Sequence, residues 1–186
     1  MQWAIVLILF GLCGLMVVHL DPLRQRVEEG RPTFIDGDTI ELSGVRIRLR
    51  GIDAFERGQP CEKGGAAFDC GARAAAALEA FAAGHAVTCN GLGLDRYGRL
   101  LAVCTAAGRD LNAAMVDAGW AVAYGGYETE EARARLSGDG AWAGTFERPS
   151  QWRSTRGGLV ETPHDLLRRL IGLLRALLSD TEGSAS

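Results

Sequence analysis

Residues 35–56 read IDGDTIELSGVRIRLRGIDAFE, and the fold is decided in them. From Val45 onward, Val45, Ile47 and Leu49 alternate with Arg46, Arg48 and Arg50, the period-two pattern of a strand with one apolar and one wet face. The runs Thr33 to Leu42 and Val45 to Ile52 are therefore predicted to pair as a hairpin across Ser43-Gly44. Working outward, Arg73 to Ala83 is an Ala-rich helix stopped by Gly84. A second hairpin turns through Asp95-Arg96-Tyr97-Gly98-Arg99, a helix capped by Asp110 ends at Gly119, and Thr129 to about Leu136 forms a surface helix. Strands, helix, hairpin, helix, helix has no alternating βαβ rhythm, so the expectation is a mainly β, α+β domain: a small antiparallel barrel carrying helices.

The 186-residue chain has the size of one ordinary domain with extensions, and its 20 Lys plus Arg against 23 Asp plus Glu give a net charge of −3. That balance excludes a protein that coats nucleic acid through bulk positive charge, so a polyanion has to be held by a local site. Lys63 is the one lysine among the basic residues. Arginine's planar fork suits phosphate recognition, although a GC-rich genome writes the same composition.

Residues Trp3 to Leu20 carry no Asp, Glu, Lys or Arg, long enough for a helix that spans a bilayer at about 18 residues or more. An uncleaved anchor is favoured over a signal peptide, because the run lacks positive charge before it and small residues after it. Residues 1–21 are thus read as anchor or signal segment, 22–32 as a polar linker, 33–156 as the folded domain, and 157–186 as linker and C-terminal helix. In that last segment Leu166, Leu167, Leu170, Ile171, Leu173, Leu174, Leu177 and Leu178 share one helical face opposite Arg168, Arg169 and Arg175. Such a helix lies on a membrane surface, pairs with a copy of itself, or packs on its own domain.

Cys89 and Cys104 each end an apolar run, and a hairpin turning near Tyr97-Gly98 sets them opposite each other, a geometry open to a disulfide. Cys61 and Cys70 bracket a Gly-rich loop that a second bridge can close. Two bridges argue for an oxidising compartment, so the domain is expected to be membrane-anchored on the periplasmic or extracellular side. Arg24 and Arg26 after the apolar run argue the other way.

The first hairpin brings Asp36, Asp38, Asp53 and Glu56 to the ends of paired strands. Carboxylates gathered there repel unless a cation sits among them, and a hard cation such as Ca²⁺ suits oxygen ligands. Arg48 on the polar strand face and Arg99 in the second turn complete what a phosphodiester requires: positive charge where the transition state accumulates negative charge, and a carboxylate to deprotonate water. The plain alternative is a turn with solvated carboxylates beside an exposed strand face.

The motifs IDGDTIEL, IRLRGIDAFE, DRYGRLLAVC and GRDLNAAMVDAGWAVAY, in that order and spacing, resemble the staphylococcal nuclease family from about Thr33 to Arg153. The resemblance implies an OB-fold, a five-stranded antiparallel barrel with packed helices, and a Ca²⁺-dependent endonuclease acting on DNA and RNA. By motif, Asp38, Asp53 and the carbonyl of Ala54 match metal ligands, Glu56 the general base, and Arg48 and Arg99 the phosphate-binding arginines. Phe55 departs from the family, which usually has proline before the glutamate, so the loop of Glu56 is expected to be held less firmly. A Cys61–Cys70 bridge beside it is expected to stiffen what the lost proline loosens. Tyr97 and Tyr124 are candidates for stacking on bases of single-stranded DNA or RNA, or for packing. Besides the nuclease, two readings stand: a catalytically weak nucleic-acid-binding OB-fold module tethered to the membrane, and a membrane-associated assembly factor built on the C-terminal helix.

Overall fold

Ser43 and Gly44 both adopt positive φ, 51° and 81°, the backbone that a two-residue hairpin loop requires to match the twist of its strands. The loop joins two strands of a computed structural model that describes residues 25–156 together with Trp3, Phe10 and Gly11. The expected membrane segment, those three residues apart, and the C-terminal amphipathic helix lie outside the described residues. Among the described residues no helix is long and apolar enough to cross a membrane.

The strands are β1 (Gln25–Gly30), β2 (Thr33–Phe34), β3 (Thr39–Leu42), β4 (Val45–Leu49), β5 (Ile52–Ala54), β6 (Pro60–Lys63), β7 (Ala66–Asp69), β8 (Val87–Leu94), β9 (Leu100–Ala106), β10 (Arg109–Asp110), β11 (Ala121–Ala123) and β12 (Thr145–Phe146). The helices are α1 (Cys70–Ala82), α2 (Leu111–Asp117), α3 (Glu128–Ser137) and α4 (Pro149–Thr155). The main sheet runs β1-β8-β9-β4-β3-β2, with β10 added to β9, and curls into a half-barrel. Expected as five-stranded and antiparallel, it is instead seven-stranded and mixed, because β4 pairs with β9 in parallel, Arg48 opposite Leu101. That pairing sets Leu100 opposite Ile47, so the Asp95–Arg99 turn just before it lies along β4 toward Arg46.

The inner face of the sheet buries Ile40, Leu42, Ile47, Leu49 and Leu100 against Leu78 of α1 and Met115 of α2. Asp69 caps α1 by accepting from the Ala72 N–H at 2.9 Å, and Asp110 caps α2 by accepting from Ala113 at 2.9 Å. Two stretches differ from the sequence reading. Gln25–Gly30, read as linker, pairs along β8 as an edge strand; its stability comes from backbone hydrogen bonds, which leave no apolar alternation to read. The Gly-rich loop between Cys61 and Cys70 is a hairpin, β6 and β7, turning on Gly64 and Gly65 at φ 60° and 80°.

Disulfides join the four described cysteines as Cys61–Cys70 and Cys89–Cys104. Cys89 and Cys104 are register partners on β8 and β9, both fully buried. Replacing both with alanine is expected to cost about 2–4 kcal/mol of stability, measured as a lower urea midpoint.

Candidate active site

Arg48 stands on β4 directly opposite Thr39 of β3, which puts its guanidinium beside the carboxylate that follows the Asp36-Gly37 turn. Its Nη1 donates to Asp38 Oδ1 at 2.6 Å and its Nη2 to Asp53 Oδ1 at 3.1 Å. All three side chains are buried, Asp53 to 1% exposure. Asp38 also accepts from the Thr39 hydroxyl at 3.1 Å and, on its other oxygen, from the Ala54 N–H at 3.0 Å. Gly37 makes this approach possible: a Cβ there stands 2.7 Å from the Ala74 Cβ and 2.8 Å from that of Ala54.

A third arginine completes the cluster. Arg153 of α4 grips both oxygens of Asp53, at 2.9 and 3.1 Å, and donates to Glu56 Oε1 at 2.7 Å. Burial pushes the Asp53 carboxyl above its ordinary range, while the Arg153 hydrogen bond pulls it back and the Asp38 charge adds to the rise. Burial first, then the neighbouring charge of Asp38, pushes Asp36 up to about 6.

Glu56 itself is held by its loop. Phe55 is buried to 1% exposure and packs edge-on against Phe146 at 5.0 Å, so the residue that replaces the family's proline anchors the loop in the core instead. Gln59, fully buried, accepts from the Glu56 N–H at 3.0 Å and donates to the Glu147 carbonyl at 2.7 Å. Behind it, the first turn of α1 presses on the loop so closely that a Cβ on Gly71 falls 1.9 Å from the Glu56 carbonyl oxygen. The Cys61–Cys70 bridge fastens that turn to β6.

Across the cleft, Asp95 shapes the β8–β9 turn by accepting from the Tyr97 and Arg99 N–H groups at 2.8 and 2.9 Å, and its other oxygen takes Arg99 Nε at 2.7 Å. Burial alone raises the Asp95 carboxyl, yet the hydrogen bonds of Arg99 and Tyr97 hold it below its usual value. Arg99 Nη1 reaches the Thr39 hydroxyl at 3.4 Å, so the turn is tied to the Asp38 strand. The resulting cleft, about 340 Å³, is lined by Arg46, Arg48, Arg99 and Arg153 against Asp36 and Glu56, with Tyr97 at its edge. An acidic chain thus gathers positive charge at one place. Tyr97 is 55% exposed and lies under both Arg96 and Arg99.

The structure therefore brings together Asp38, Asp53, Ala54, Glu56, Arg48, Arg99 and Tyr97. Tyr124 instead lines a second cavity of about 190 Å³ with Arg50 and Tyr127. Ala54 donates its N–H to Asp38. Sequence reasoning missed Arg153 and Gln59. Pro149, at the first position of α4, was the available signal for the helix that carries Arg153; a glutamine three residues past Glu56 carries no signal of burial. Gln59→Ala removes both hydrogen bonds by which this buried side chain ties the Glu56 loop to the backbone before α4, so a loss of about 1–3 kcal/mol is expected at about 0.5–1.5 kcal/mol for each bond, checked by thermal unfolding.

The profile described as "Staphylococcal nuclease homologue" matches residues 46–143, more than half of the chain. The chain is 39% identical over 121 residues to a protein named "Succinoglycan biosynthesis protein ExoI" from Rhizobium meliloti (strain 1021), covering 61% of this chain and 63% of the relative. It is also 39% identical over 101 residues to proteins named "Uncharacterized endonuclease" from Escherichia coli O157:H7 and Escherichia coli, covering 52% of this chain and 60% of each. The chain spans less than two thirds of the length of these relatives. With its mixed, curled sheet and the profile match over more than half its length, the chain belongs to the staphylococcal nuclease family.

Proposed function

We propose that this chain is a Ca²⁺-dependent endonuclease that hydrolyses the phosphodiester bonds of DNA or RNA, with single strands preferred. The observation that carries the reading is the cleft in which Glu56 faces Arg48 and Arg99. Its size and charge suit one phosphodiester, and the endonuclease names of two relatives agree with it.

The donor set fits a hard divalent cation. Asp38 and Asp53 converge on a single guanidinium and are buried, and the Asp38 charge raises the cost of ionising Asp53. Among the described residues no three Asp, Glu, His or Cys side chains gather into one ligand set, so Asp38 and Asp53 would hold the ion with the Ala54 carbonyl and water. Held there, such an ion would supply positive charge beside the phosphoryl oxygens and polarise a water.

Glu56 takes a proton from that water as its oxygen attacks phosphorus in line. Arg48 and Arg99 donate to the phosphoryl oxygens, where charge accumulates, and Asp95 keeps Arg99 aimed. The bond from phosphorus to the 5′-oxygen breaks, that oxygen takes a proton from solvent and leaves as a 5′-hydroxyl, and the phosphate stays on the 3′-oxygen of the other product. Tyr97, exposed at the cleft edge, offers a face on which an unpaired base stacks, whereas paired bases are shielded in the duplex. The two disulfides agree with a periplasmic or extracellular site of action, with the N-terminal segment as tether and the C-terminal helix at a membrane surface or against a second copy.

The test is cleavage of a single-stranded oligonucleotide by the full chain, with Ca²⁺ and with a chelator. Glu56→Gln is expected to lower kcat by about 10²–10⁴-fold and Arg99→Ala by about 10²–10³-fold. Cleavage that survives chelation, or either variant at full rate, overturns the assignment.

A further inference from the structure

Arginine donors take three of the four acceptor sites of Asp53, the residue assigned to the cation. Its Oδ1 accepts from Arg48 Nη2 at 3.1 Å and from Arg153 Nη1 at 2.9 Å, which fills both lone pairs of that oxygen. Its Oδ2 accepts from Arg153 Nη2 at 3.1 Å. The same Nη1 of Arg153 also holds Glu56 Oε1 at 2.7 Å, so one guanidinium nitrogen stands between the carboxylate assigned to the cation and the one assigned to the water.

We infer that Arg153 is an internal counter-ion of the active site: it occupies Asp53 and Glu56 when no divalent cation is bound and releases Asp53 when one binds. This deepens the reading above and rests on its cation. The chemistry forces a choice between the two arginines. Two buried carboxylates need compensating charge whether or not an ion is present, and an ion on Asp53 Oδ1 has to displace a guanidinium bond. Arg48 lies within a central strand, bridges Asp38 and Asp53, and is 6% exposed at its side chain. Arg153 is 15% exposed, stands on a seven-residue helix, and keeps a buried Nε with no hydrogen-bond partner. The arginine that yields is the more exposed one, carried on a short helix rather than a central strand. Because it already lines the cleft with Arg48 and Arg99, its charge stays at the site after release. Glu56 is freed in the same step, so cation binding and release of the general base become one event.

The experiment measures Ca²⁺ binding to the full chain by isothermal titration calorimetry, in the wild type, Arg153→Gln and Arg153→Lys. Removing the competitor is expected to tighten Ca²⁺ binding at least tenfold in Arg153→Gln. It should also enlarge the rise in Tm that Ca²⁺ produces, because a ligand that binds only the folded state stabilises it in proportion to its affinity. Arg153→Lys, which keeps the charge but loses the two-pronged grip, is expected to fall between them and carries the test if the glutamine variant does not fold. A residue with a merely structural role gives the opposite sign on removal. Equal or weaker Ca²⁺ affinity in the variants overturns the counter-ion role and leaves the nuclease reading standing. Failure of the folded wild type and of every folded variant to bind Ca²⁺ overturns the cation reading, and this inference with it.

Discussion

Two buried carboxylates held apart by one guanidinium are the constraint on which this structure turns. Asp38 and Asp53 come from opposite ends of a hairpin and a following strand, and without Arg48 between them neither charge can be buried at tolerable cost. The pairing needs β3 and β4 in the register that sets Thr39 opposite Arg48. It also needs a glycine at position 37, where any side chain collides with α1 and β5. Hairpin register, helix placement and active-site charge are thus one requirement met at one place.

The loop of Glu56 shows how a family constraint is replaced. Proline fixes φ locally; here Phe55 fixes the same loop from below, through burial and an edge-on contact with Phe146. Gln59 fixes it laterally, joining the backbone before the β6–β7 hairpin to the backbone before α4. The disulfide then secures the turn of α1 that packs on the Glu56 carbonyl. Rigidity lost in one torsion is recovered through tertiary contacts.

What could be read in the sequence was what short-range physics writes there. The alternation over Val45–Leu49, the Ser43-Gly44 turn, the Asp110 cap and the opposed Cys89 and Cys104 each follow from a few neighbouring residues, and each is in the structure. Asp36, Glu56, Arg48 and Arg99 share one cleft, with Asp38 and Asp53 buried behind Arg48, for the same reason: strand and turn positions set their directions. The parallel β4–β9 pairing, the edge strand β1 and the contact of Arg153 with Asp53 were illegible because they join distant segments. Tyr124 went to a second cavity because a side chain's neighbours depend on that same long-range packing.

Arg153 meets Asp53 across 100 residues of chain and Glu56 across 97, and the match to the family profile stops at residue 143. In a chain synthesised from its N-terminus, the acidic half of the site therefore emerges long before its last cation. Closing so long a loop carries an entropic cost that grows only with the logarithm of its length, so the delay matters more than the distance. Until α4 docks, the nascent site holds Asp53 and Glu56 with one guanidinium fewer, and a fragment trimmed at the profile's edge stays in that state permanently. The order of assembly, rather than the residue list, separates the complete domain from the segment by which its family is recognised.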